Sequence, residues 1–211
     1  MNTQFLNEKN VRRNDGDGVE WHPLHPFVPT DARVLFLGSF PPQRKRWCMN
    51  FYYPNWLNDH WRIEGLVFFG DKNHFVDEAN RTFRLPQIVE FCEQRGIAFF
   101  DTATAVRRLA DNASDKFLEV VVPTDIHALV NRMPRLRALV TTGEKACATL
   151  CAAMGLTDMP RVGQSVVVPP LSDAANEVRL FRLPSSSRAY PLALERKAEA
   201  YAQMFREVGM L

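Results

Sequence analysis

The chain has 211 residues, 46% of them hydrophobic and 24% charged, which suits one globular domain with a substantial core better than two full domains. Its formal net charge of +2 is too small to announce a polyanionic partner by itself. No run of about 18 apolar residues occurs and the opening segment lacks a secretory apolar stretch, so a cytoplasmic protein with no membrane contact is expected.

Residues 1 to 20 are polar, contain Asp15-Gly16-Asp17-Gly18 and show no apolar period, as expected of a flexible arm, leaving 21–211 as the folded domain. Trp21-His22-Pro23-Leu24-His25-Pro26-Phe27 follows as a proline-punctuated extended segment. Its two histidines have no nearby acidic or cysteine partner, so packing is the better reading than metal binding. Arg33 to Leu37 is a continuous apolar run ending at Gly38, the mark of a strand buried on both faces. An aromatic-rich loop runs from Ser39 to Leu57, and a helix starting near Asn58 carries Trp61, Ile63 and Leu66.

A second helix opens at Pro86 and stops at Gly96, residue types suited to a first turn and a C-cap. Ile97 to Phe100 is the next buried strand, ending at Asp101. After a polar stretch holding Arg107 and Arg108, Thr124 is expected to cap a helix reaching Met133. Leu136 to Val140 is a third strand closed by Thr141-Thr142-Gly143, with a helix from Glu144 to Met154 behind it. Val178 to Leu183 is a fourth, ending at Pro184-Ser185-Ser186-Ser187, and Pro191 opens a last helix. There Leu194, Ala198, Tyr201, Ala202 and Phe205 share a face. Alternating strands and helices predict a three-layer α/β/α fold around a central four-stranded parallel sheet.

The four cysteines, Cys48, Cys92, Cys147 and Cys151, form no Cys-x-x-Cys pair, so neither a metal centre, a cluster nor a disulfide is expected, and no cofactor is implied. Basic residues cluster at Arg44-Lys45-Arg46, Arg107-Arg108, Arg188 and Arg196-Lys197, where a solvated face is the plain reading and phosphate contact the functional one.

In an open parallel sheet, ligands bind beyond the carboxyl ends of the strands. Those ends carry Gly38-Ser39-Phe40-Pro41-Pro42, Asp101-Thr102, Thr141-Thr142-Gly143 and Pro184-Ser185-Ser186-Ser187, which are positioned to line one pocket. Leu37-Gly38-Ser39-Phe40-Pro41-Pro42, with Tyr53, Asn58 and Trp61 at their spacing, resembles the first motif region of the mismatch-specific and hypoxanthine-DNA glycosylase branch of the uracil-DNA glycosylase superfamily. Leu183 to Ser187, leading into a C-terminal helix, resembles that superfamily's second motif, and His25-Pro26-Phe27 is similar to its introductory segment.

The resemblance implies a uracil-DNA glycosylase-like fold and a monomeric, metal-free, monofunctional hydrolase that excises a flipped-out deaminated base, hypoxanthine or uracil, in base-excision repair. The partner is then DNA containing a damaged base. A non-catalytic nucleobase or DNA-binding module of the same fold is the alternative. Tyr53 is assigned to stack on the base, against the alternative of a core aromatic cluster with Phe51 and Tyr52. Backbone N–H groups of Gly38, Ser39 and Phe40 are assigned to the developing anion. Asn58 is assigned to hold water, against a plain helix cap. Asp101 is assigned to read the base or orient water, against capping the turn at Thr102. Arg44, Lys45, Arg46, Ser185, Ser186, Ser187, Arg188 and Tyr190 are assigned to DNA, Tyr190 as a wedge, against ordinary surface positions. Phe40 departs from the Asn or Asp that many superfamily members place in the turn, which favours the hypoxanthine-type branch and the downstream Asn58.

Overall fold

The computed structural model describes residues 18–110, 115–170 and 177–211, so the expected arm lies outside the described residues up to Asp17. The described chain enters directly into a strand, β1 (Val19–Trp21). It continues through β2 (Val34–Gly38), α1 (His60–Phe69), β3 (Val76–Asp77), β4 (Thr82–Phe83), α2 (Leu85–Arg95), β5 (Ile97–Asp101) and β6 (Ala103–Arg108). There follow β7 (Leu118–Pro123), α3 (Ile126–Val130), β8 (Ala138–Thr141), α4 (Glu144–Ala153), β9 (Gln164–Val167), β10 (Arg179–Arg182) and α5 (Leu194–Glu207).

The central sheet has five strands in the order β5-β2-β8-β10-β9, not the four expected. β5, β2, β8 and β10 are parallel neighbours, and the added edge strand β9 runs antiparallel to β10. β9 escaped the sequence because Gln164-Ser165-Val166-Val167 is short and half exposed, as an edge strand is. Val34 to Leu37 are all buried, so consecutive side chains of β2 find cover on both faces of the sheet. Phe36 stacks near Phe99 of β5 and packs on Tyr201 and Phe205 of α5 and His60 of α1, which places those two helices over one face.

A second, antiparallel sheet of order β1-β6-β7 replaces the expected polar stretch around Arg107 and Arg108. It has its own small core of Phe40, Ala103, Val106 and Leu118. Arg107 and Arg108 are consumed in ion pairs to Glu119 and Glu20.

Helix boundaries differ from expectation for local reasons. α2 ends as expected at Gly96, in the left-handed region with φ 69° and so close to the Asp31 carbonyl that a Cβ would not fit. Asp125, not Thr124, caps α3 by accepting from the Ala128 N–H, while the Thr124 hydroxyl donates to the Asp101 carbonyl. Pro191 lies in the connection before α5, which starts at Leu194. All four cysteines are free, and Cys92, Cys147 and Cys151 are buried as small apolar groups. Among the described residues no helix is long and apolar enough to cross a membrane.

Candidate functional site

The last residues of β2 and β5, Gly38 and Asp101, face each other in register. The Asp101 carboxylate lies so near Gly38 that a Cβ there would come within 2.5 Å of Oδ1, and Thr102 N–H donates to the Gly38 carbonyl at 2.8 Å. Any side chain at position 38 would therefore displace the Asp101 carboxylate. The other oxygen, Oδ2, sits 2.9 Å from Nε2 of His22, a residue whose ring is caged by Phe40 and Phe100. His22 Nδ1 is 2.8 Å from the Leu24 carbonyl and 3.2 Å from its N–H. A neutral ring accepts from that N–H and a protonated one donates to that carbonyl, and either form leaves Nε2–H pointing at Asp101. His22 does pack, as its sequence context suggested, but its bond to Asp101 spans 79 residues and leaves no local signal.

Asp115 is a second carboxyl group at this turn that the sequence did not single out. It hydrogen-bonds Ser39 and lies in the field of Asp101. Burial pushes it above the usual carboxylate range and the Asp101 charge adds to that, while the Ser39 bond, Arg108 and Lys145 act the other way. Phe40 turns its side chain into the small core of the second sheet, so only its backbone is available to a ligand.

Tyr53 and Asn58 meet at one residue, His60. The Tyr53 ring stacks on the imidazole at 3.8 Å between centroids and 13° between planes. Asn58 Oδ1 accepts from the His60 backbone N–H at 2.9 Å. The Tyr53 backbone is held at φ 49°, an unusual conformation for a side chain of this size. Its hydroxyl is 2.9 Å from Thr142 Oγ1 beyond β8, and burial pushes its pKa up. Tyr52, by contrast, is core: its hydroxyl donates to the His25 carbonyl, and Trp61 Nε1 donates to the Tyr52 carbonyl. Trp61 is fully buried and fixes the loop from within. Beneath Tyr53, His60 and Glu64 are sealed in the core with no hydrogen bond to their side-chain atoms, their nearest approach being 3.8 Å. Burial lowers the His60 pKa and raises that of Glu64, so the charged form of each is disfavoured.

The segment after β10 joins this neighbourhood through an isolated bridge between Asn58 and Ser187 and a bond from Asp59 N–H to the Ser186 carbonyl. Its expected DNA contacts divide. Ser185 and Ser187 are partly exposed. Ser186 is 1% exposed, and its hydroxyl faces Tyr201 rather than solvent, which removes it from the set that can reach phosphate. Arg188 places Nε and one terminal nitrogen on Asp59 Oδ1 at 3.1 and 2.9 Å, so its charge is partly spent inside the protein. Lys197, expected on a solvated face, is instead buried, donating to the Ser187 carbonyl at 2.8 Å with Asp59 Oδ2 at 3.8 Å. Tyr190 is partly exposed beside Ala189.

Arg44, Lys45 and Arg46 form an exposed 3-10 turn, with the Arg44 guanidinium over the Trp47 ring and hydrogen-bonded to Asn50. Among the described residues no group of three or more His, Cys, Asp or Glu side chains is placed to hold a metal ion.

No family model and no curated protein matches this chain. Among solved structures, the fold is similar to the solution NMR structure of a Methanosarcina acetivorans protein described as a "putative Uracil DNA glycosylase". The TM-score is 0.57 at 21% identity, over 90% of this chain and 98% of the other. At that identity the likeness concerns the fold.

Proposed function

We propose that this chain is a metal-free, monofunctional DNA glycosylase of the uracil-DNA glycosylase superfamily, in its mismatch-specific and hypoxanthine-type branch. It hydrolyses the N-glycosidic bond of a deaminated base, hypoxanthine or uracil, flipped out of DNA. One observation carries this reading: the aromatic ring of Tyr53 and the amide of Asn58 converge on His60, beside the strand ends that hold Gly38 and Asp101.

Flipping a nucleotide costs a few kcal/mol in lost stacking and pairing. The face of Tyr53 away from His60 returns about 1–3 kcal/mol by stacking on the base. Breaking the C1′–N bond leaves negative charge on the base, which the backbone N–H groups at Gly38, Ser39 and Phe40 are assigned to meet. Asn58 spends one lone pair of Oδ1 on the His60 N–H. The second lone pair and the amide N–H groups remain to hold the attacking water. The N-cap position of α1 is Asp59, and the Asn58 bond to the helix start and its water-holding role are compatible.

Arg44, Lys45, Arg46, Ser185, Ser187, Arg188 and Tyr190 are assigned to the DNA, the first three as a sequence-neutral phosphate contact. The partial engagement of Asn58 and Arg188 within the protein favours a second reading, a base-binding module without turnover. Incubation with single- and double-stranded oligonucleotides carrying uracil, hypoxanthine or xanthine separates the two. Abasic product that disappears in Asn58→Ala supports the enzyme. Tight binding with no product supports the module, and no binding at all refutes both.

A further inference from the structure

The two carboxyl groups at the Gly38 turn have unlike surroundings. Asp101 receives a hydrogen bond at Oδ2 from His22 Nε2 at 2.9 Å, and both side chains are largely buried. Asp115 enters from the 3-10 turn ahead of β7 and is hydrogen-bonded to Ser39. Beside them Thr102 Oγ1 is buried without a partner. The other charged or titratable groups facing the pair are Arg108 and Lys145 toward Asp115, Tyr52 toward Asp101, and Tyr53 toward both. A glycosidic bond is commonly cut between one carboxyl that gives a proton and one that takes it, and unlike environments assign the roles.

We propose that Asp115 hands a proton to the departing base while Asp101, positioned by His22, takes one from the attacking water. The inference rests on the glycosylase reading of the same site. The bond from C1′ to the base nitrogen breaks with its electron pair going to the base, and the base receives the Asp115 proton. Water adds its hydroxyl to C1′ and passes its remaining proton to Asp101. Bulk water then returns that proton to Asp115, so no oxidant, metal or other reactant is needed. Burial, which raises the Asp115 pKa, keeps the proton available at higher pH than an exposed aspartate would. His22 is a positioning residue: its N–H holds Oδ2 and leaves Oδ1 to the reaction. The base that gains most is one whose anion is poorly stabilised. Hypoxanthine, a purine, therefore depends on Asp115 more than uracil, whose anion is spread over two carbonyl oxygens.

The test is single-turnover excision of hypoxanthine and of uracil from one duplex sequence by the full chain, from about pH 5 to about pH 9. General acid–base groups contribute on the order of 100- to 10,000-fold. Asp115→Asn is expected to lose about 100-fold or more on hypoxanthine, to lose the decline of that rate with rising pH, and to lose much less on uracil. His22→Gln, whose amide still donates to Oδ2, is expected to stay within about tenfold of wild type, whereas His22→Leu falls as far as Asp101→Asn.

The inference is overturned if Asp115→Asn keeps the wild-type hypoxanthine rate and pH profile, or loses both bases equally with the profile unchanged. A carbon-13 titration of wild type gives a check that needs no variant to fold: an Asp115 carboxyl that ionises below about pH 4, as an exposed one does, also overturns it. Excision of neither base by wild type removes the glycosylase reading itself. Excision indifferent to Asp115 removes only this step.

Discussion

Replacing Lys197 with Met tests whether a buried ammonium holds the loop after β10 against α1. The side chain is 1% exposed, its Nζ donates to the Ser187 carbonyl at 2.8 Å, and Asp59 Oδ2 lies 3.8 Å away. Met preserves most of the volume, so packing changes little. Removing one partner of a fully buried charge pair costs about 3–5 kcal/mol. Here Asp59 keeps two bonds from Arg188 and the desolvation of Lys197 is relieved, while the Ser187 carbonyl loses its charged donor. The net loss is expected near 2–3 kcal/mol, which for a chain of this size lowers Tm by about 4–12 °C. Urea and thermal unfolding read that loss. A double-mutant cycle with Asp59→Asn should give a coupling energy above about 0.5 kcal/mol. The Asn58–Ser187 bridge should loosen in parallel, lowering excision. A variant within about 0.5 kcal/mol of wild type, or additive with Asp59→Asn, refutes the clamp.

Three further outcomes are expected. Asn58→Asp keeps the acceptor for the His60 N–H and should leave stability near wild type. Asn58→Ala should cost about 1 kcal/mol, and both should lose abasic product, since neither offers the amide donors. Substituting Arg44, Lys45 and Arg46 together by Ala should flatten the plot of log affinity for DNA against log salt by about 0.9 for each phosphate no longer neutralised, without changing base preference. Glu64→Met should stabilise the protein by about 1–3 kcal/mol at neutral pH, because Glu64 is buried with both oxygens unpartnered. The Glu64 pKa is raised on folding, so its contribution is intact below the unfolded value of 4.5 and is lost as pH climbs toward the folded value. The gain in Glu64→Met should therefore shrink on acidification to about pH 4, and a gain independent of pH would contradict the burial argument.

The parallel strands were legible because a strand covered on both faces must be apolar at successive positions, as Val34 to Leu37 and Ile97 to Phe100 are. The β6–β7 pair was not, since Ala103-Thr104-Ala105 is small and mildly polar and its packing depends on Phe40, which comes from the distant turn after β2. Tyr53 and Asn58 came from motif spacing, and the structure brings both to His60. Asp115 sits in a polar connection with no neighbouring pattern, and its relation to Ser39 exists only after the second sheet has formed. Lys197 did leave a trace: it lies three residues after Leu194 and four before Tyr201, on the apolar face of α5. A lysine in that phase signals a buried partner, while its chain neighbour Arg196 points outward to Glu199.

The β1 pairing reaches from Val19–Trp21 across to Ala105–Arg107, so His22 arrives at the end of β5 only when residues more than 80 positions apart have zipped together. A protein without that pairing would lack the His22 partner of Asp101, unfit for the chemistry proposed here. Inserting bulk between Gly18 and Val19, or clipping the chain between Trp21 and Phe27, should thus silence the molecule while sparing most of its core.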